Sequence, residues 1–213
     1  MADIFDEVTE ELRQDQLKQF WHKYQKFIFG IIFIILLTVG SYQGYIFFKN
    51  KKIQENSNLF INALSELEKK NFSEAEKSLL KLNSENQSGY FMLSLFALAD
   101  ISLKKGNFQL MEKYYKSIIE NKNFDKFYRD LALINLTINS KKMDKNIKLK
   151  ELQPILTSPS KLQSYAAELE ILYLFDVGKV DLAKDKLDKL LKRPDVQNNQ
   201  KNRLSVIKRV FLN

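Results

Sequence analysis

The sequence predicts an all-α chain: a single N-terminal transmembrane helix, then an α-solenoid of about four helix pairs closed by a C-terminal capping helix. Three observations lead there. An uncharged run, Phe27 to Phe48, interrupts a chain in which 28% of the residues are charged. Three prolines and six glycines in 213 residues are few, which favours helices over turns and strands. Downstream of the run, a small or polar turn followed by an amphipathic segment recurs at a fixed spacing.

The run sets the first element. Its 22 residues would span about 33 Å as a helix, against a hydrocarbon core of about 30 Å. A secretory signal would have a shorter apolar core, an earlier start and a small-x-small cleavage site, so residues 27–48 read as an uncleaved signal anchor. Trp21 and Tyr24 stand at one end and Tyr42 and Tyr45 near the other, where amphipathic rings settle at headgroup level. Gly40 and Gly44 lie four residues apart on one face beside Ser41. Such small residues allow close helix packing in lipid, although glycine is also common in membrane spans generally.

Residues 1–26 precede the anchor. Ile4, Phe5, Val8, Leu12, Phe20, Trp21 and Tyr24 fall mostly three or four apart, which predicts one apolar helix face, able to lie on the membrane surface. Five of the six acidic residues come early (Asp3, Asp6, Glu7, Glu10, Glu11) and the basic ones late (Arg13, Lys18, Lys23, Lys26), as the helix dipole favours. This segment is net −2, so the rest of the chain carries +10 of the total +8. That domain could approach acidic partners or lipid headgroups, but no Arg cluster or basic stripe interleaved with aromatics points to nucleic acid. Four basic residues before the run and three after it leave the orientation open on charge alone.

Residues 53–213 are long enough for one domain with a sizeable core. Three stretches align in it: "LEKKNFSEAEKSLLKL", "SLKKGNFQLMEKYYKSII" and "LFDVGKVDLAKDKLDKLL". With Phe72, Phe108 and Val180 as anchors, the separations are 36 and 72 residues. One copy is missing between the last two, and its anchor falls at Asp144. Ala75, Met111 and Ala183 lie three residues past the anchors. Leu79, Tyr115 and Leu187 lie seven past, and Leu82, Ile118 and Leu190 ten past. These offsets share a helix face, the side expected to pack on the preceding helix. Gly106 and Gly178 can take the left-handed conformation that ends a helix, and Ser73 with Glu76 reads as a capping box.

The first helix of each pair is more continuously apolar: Leu59 to Leu67, Tyr90 to Leu103, Phe127 to Ile138 and Tyr165 to Val177. Helices of that kind are sandwiched between neighbours. The second of these is too short, and with Asp100 too polar, to span a membrane. Asp100 is expected to be hydrogen-bonded or at an exposed edge. Pro159 is expected at the first helical position of the fourth pair, and Pro154 to shorten or kink the second helix of the third. Leu204, Val206, Ile207, Val210 and Phe211 predict the capping helix.

Helix pairs of about 34 residues with Gly106-Asn107-Phe108 at the turn, and Leu95, Leu98, Ala99 and Tyr115 around it, resemble tetratricopeptide repeats. The whole plan, beginning "MADIFDEV" and running through "LRQDQLKQFWHKYQKFIFGIIFIILL", is similar to the YfgM-like family of ancillary SecYEG translocon subunits, in its alphaproteobacterial version. That resemblance implies a single-pass protein of the bacterial inner membrane. It implies a cytoplasmic N-terminal segment (1–26), a signal anchor (27–48) and a periplasmic repeat domain (49–213). It also implies protein partners at the exit side, the SecYEG translocon and a periplasmic chaperone, and assistance to newly exported proteins. A structural organiser of envelope assembly or division, with no role in export, is the alternative.

No residue pattern points to catalysis. The chain has no Cys and a single His, His22, without a glycine-rich phosphate loop, a GxSxG elbow or metal-ligand spacing. No enzyme activity, cofactor, metal or catalytic residue is therefore expected. Repeat helices of this kind work by presenting a peptide-binding surface, here expected on the concave side that the first helices line, within reach of Tyr90 and Tyr165.

Overall fold

A computed structural model describes residues 2–82 and 89–212, with side chains from residue 17 to 211. Among the described residues there are nine α-helices and no strand: α1 (Ala2–Glu68), α2 (Phe72–Leu80), α3 (Gly89–Lys104), α4 (Phe108–Glu120), α5 (Lys126–Asn139), α6 (Lys145–Leu156), α7 (Gln163–Asp176), α8 (Val180–Leu191) and α9 (Asn198–Leu212). The chain divides into two units, residues 1–55 and 56–213, with the division inside α1.

The first unit is a stretch of helix whose apolar side chains have no cover. Phe27, Phe29, the run from Ile31 to Leu37, Phe47 and Phe48 are all exposed. The helix is long and apolar enough to cross a membrane, with a mean hydropathy of 2.0 over its most apolar window and none of that window buried. The Thr38 hydroxyl, near its middle, donates to the carbonyls of Ile34 (3.1 Å) and Ile35 (2.8 Å). It thus needs no partner outside the helix. Of the apolar face expected before the span, Ile4, Phe5, Val8 and Leu12 lie outside the described side chains. Of its later members, Phe20 and Tyr24 meet at 4.7 Å between ring centroids, while Trp21 meets Phe29 of the span at 6.2 Å.

The second unit is an array of helix pairs. Residues 56–68 of α1 pair with α2, α3 with α4, α5 with α6 and α7 with α8, and α9 follows as the terminal helix. From α2 onward, the main contacts run between consecutive helices. The core is correspondingly divided into four clusters. Each joins one pair to the helix after it: Ala63, Ala75, Leu79, Leu98 and Ile101 in the first, and Ile171, Ala183, Leu187, Leu190 and Leu204 in the last. No pair buries its own faces alone, so α9 takes the place of a fifth pair. Of its predicted apolar residues, Leu204 is buried, Ile207 is half-buried, and Val206 and Val210 are exposed. Phe211 stacks on Phe175, 4.5 Å between centroids.

Polar contacts fix α9. Gln200 donates to the Ser164 carbonyl (2.9 Å) and to Glu168 (3.0 Å). The Arg203 guanidinium forks onto the same carboxylate at 2.9 and 2.8 Å.

Three expectations change. The capping box at Ser73 and Glu76 does not form: the Asn71 carbonyl already accepts the Ala75 N–H at 3.1 Å, so α2 begins before Ser73. Glu76 instead pairs with Lys105 on the next hairpin. Pro159 does not open α7, which starts at Gln163. There Ser160 donates to Asp130 at 2.6 Å and accepts the Leu162 N–H at 3.2 Å, holding residues 159–162 in a turn. Pro154 does not shorten α6, whose 12 residues match α8. It sits in the last turn, where a missing N–H costs one bond and little else follows to be bent.

Candidate functional site

The repeat array is built around its inter-helix turns. At the second and fourth turns, Gly106 and Gly178 stand at φ +74° and +75°. The Asn107 N–H reaches back to the Ser102 carbonyl (2.8 Å) and the Lys179 N–H to that of Leu174 (2.9 Å). These are the bonds that a left-handed residue at the helix end makes possible. The first turn has the same geometry without a glycine: Lys70 stands at φ +62°, and the Asn71 N–H reaches the Glu66 carbonyl at 2.8 Å. Asn107 then caps α4, its side-chain oxygen accepting the Leu110 N–H at 3.1 Å.

After each of these turns the anchors Phe72, Phe108 and Val180 are the first residues of α2, α4 and α8. Ala75, Met111 and Ala183 are 0% exposed; Leu79, Tyr115 and Leu187, and then Leu82, Ile118 and Leu190, are buried in the same order. Burial pushes the Tyr115 hydroxyl above its ordinary pKa, with the Asp100 charge adding to it. Asp100 itself is half-exposed and pairs with Lys104 at 2.7 Å.

The third pair differs by one residue. Its turn has no left-handed residue and runs through Ser140 to Asp144, which caps α6 by accepting the Asn146 N–H at 2.8 Å. The first helical residue is therefore Lys145, one place after the expected anchor. Counted from there, the three positions that face the core are Lys148, Leu152 and Ile155, all buried. Sequence reasoning missed Lys148 because the anchor at Asp144 put the exposed Ile147 in its place. The signal was present in the Asp144 cap, since an Asp before a helix precedes its first residue.

The surface offers side chains for contact. Each first helix leaves a large apolar or aromatic residue partly open, among them Leu64, Leu93, Tyr128, Ile138 and Tyr165. Tyr90 is half-buried, its hydroxyl donating to Ser57 at 3.0 Å. No group of three or more metal-ligating side chains occurs among the described residues. In the apolar helix, His22 is exposed, and a Cβ built on Gly40 or Gly44 would meet nothing within 4 Å.

A family model described as a tetratricopeptide repeat-like domain matches residues 18–205, taking in the apolar helix as well as all four helix pairs. No curated protein and no solved structure matches the chain. Proteins built of such repeats generally serve as protein-interaction scaffolds. With the match extending over most of its length, the chain belongs to the family of tetratricopeptide repeat-like domain proteins.

Proposed function

We propose that this protein is a single-pass scaffold of the bacterial inner membrane, with residues 1–26 in the cytoplasm, residues 27–48 as signal anchor and the repeats in the periplasm. There it binds proteins as an ancillary subunit of the SecYEG translocon, together with a periplasmic chaperone, and assists newly exported chains. The observation that carries this reading is the attachment of a repeat array to an uncovered apolar helix, both within one family match. An uncovered stretch of that length finds its cover in lipid, and the array is then held where clients leave the membrane. The likeness of the first fifty residues to YfgM-like proteins supports the choice of partner.

Affinity recovery of the full chain in mild detergent, with partners identified by mass spectrometry, tests it. SecY and a periplasmic chaperone are the expected partners. Division or cell-wall proteins without SecY would favour an organiser of envelope assembly instead. Gly40 and Gly44 form the proposed packing surface within the bilayer. Replacing both with Leu should weaken recovery of a membrane partner while leaving the chain in the membrane fraction, and unchanged recovery would remove that surface.

A further inference from the structure

Three of the four second helices bury Ala75, Met111 or Ala183 at their fourth position, and the remaining one carries Lys148 there, 5% exposed. Its ammonium lies 5.5 Å from the centroid of the Tyr173 ring. Burial, and next the charge of Lys145, lower its pKa from the ordinary value, while Asp176 acts the other way. Asp176 is taken by Lys145 at 2.6 Å, and Lys148 makes no ion pair among the described residues. An ammonium in that position costs stability that Ala or Met would not.

Lys148 opens onto a groove of about 610 Å³ between the α3–α4 turn and the α5–α6 loop. Leu103, Phe108, Ile138 and Met143 make it apolar, while Lys141 and Lys145 add positive charge. The Lys141 ammonium sits over the Phe108 ring at 4.1 Å. The acids around it are engaged: Asp176 by Lys145, Glu112 by the Ser140 hydroxyl and Asp144 by the Asn146 N–H. The groove thus offers cations above an apolar floor, and of these the partly desolvated ammonium of Lys148 makes no ion pair among the described residues.

We propose that this groove binds an acidic segment of a partner protein, with a carboxylate on Lys148 and Lys141 and a neighbouring apolar side chain against Leu103, Ile138 and Met143. This rests on the reading of the repeats as a protein-binding scaffold and adds the chemistry of what they bind. The apolar floor favours a peptide over a bare phosphate, which would leave it wet.

The test titrates the full chain in detergent micelles with a labelled peptide of alternating Asp and Leu, and with its counterpart of alternating Lys and Leu. The acidic peptide should bind and the basic one should not. Lys148→Met keeps the stem and removes the charge: affinity should fall about tenfold, and the thermal midpoint should hold or rise. Lys184→Met, on the exposed side of α8, removes the same charge elsewhere and should change affinity by less than about twofold. Should Lys148→Met lower the thermal midpoint, the exposed Lys141→Gln serves in its place with the same direction of effect.

Equal binding of the two peptides would overturn the proposal, as would equal losses in the Lys148 and Lys184 variants. So would Lys148-dependent binding to phosphatidylglycerol vesicles without peptide binding, which would make the groove a headgroup site. The scaffold reading fails separately: a wild-type chain that recovers SecY but shows no acidic preference sinks only the groove. One that prefers the acidic peptide but recovers no translocon subunit sinks only the placement at the translocon.

Discussion

At Lys70 the backbone takes a left-handed conformation that costs a residue with a Cβ about 1 kcal/mol. Its equivalents Gly106 and Gly178 avoid that cost, and a Cβ at either would meet nothing within 4 Å, so backbone strain alone separates the three turns. Lys70→Gly should therefore raise the unfolding free energy by about 1 kcal/mol and Gly106→Ala lower it by about as much, read by urea unfolding followed by circular dichroism. No change at either would mean that the shared turn geometry carries no strain.

Acid sensitivity belongs to the same scale. The N–H groups at the start of α6, chiefly that of Asn146, hold the Asp144 carboxyl below its ordinary pKa, and Lys208 and Arg193 do so for Asp188 and Asp195. A carboxyl depressed in the folded state contributes fully above its unfolded pKa, about 3.9, and the contribution disappears as pH falls through the lower native value. Asp144→Asn still caps but does not titrate there. Its stability should fall less steeply than wild type below about pH 4, and parallel curves would contradict the assignment.

At the scale of elements, the repeat period made the helix pairs legible because burial recurs at the same offsets from each turn. Phe72, Phe108 and Val180 start their helices, and the core positions follow at three, seven and ten residues. What escaped sequence reasoning came from local chemistry overriding a motif. The Asn71 carbonyl starts α2 ahead of the Ser73 motif, Ser160 on Asp130 delays α7 past Pro159, and Asp144 caps α6 where the repeat period puts its first residue. That last slip of one residue rotates a helix by about 100°, which is why Lys148 was invisible beforehand. Lys70 was equally hidden, since nothing in its type announces a left-handed turn.

The terminal helix gives this scale its own test. Leu204 fills the last cluster beside Leu187 and Ile171, so Leu204→Ala should cost about 2–5 kcal/mol. In an array stabilised by nearest-neighbour contacts the loss should be local. Hydrogen exchange should quicken in α7 and α8 well before α3 and α4. Uniform acceleration throughout the domain would show a single cooperative core instead.

At the scale of the whole molecule, an uncovered apolar helix is continuous with a repeat scaffold. The repeats alone could serve many partners, because such arrays are reused with different surfaces. As the proposed anchor, the uncovered apolar helix would narrow the possibilities by confining the array to one membrane surface. Which surface is the central claim, and an alkaline phosphatase fused after Asn213 tests it most directly. An active fusion that stays in the membrane fraction through a carbonate wash is the predicted result. An inactive fusion, or one released by the wash, would contradict the account.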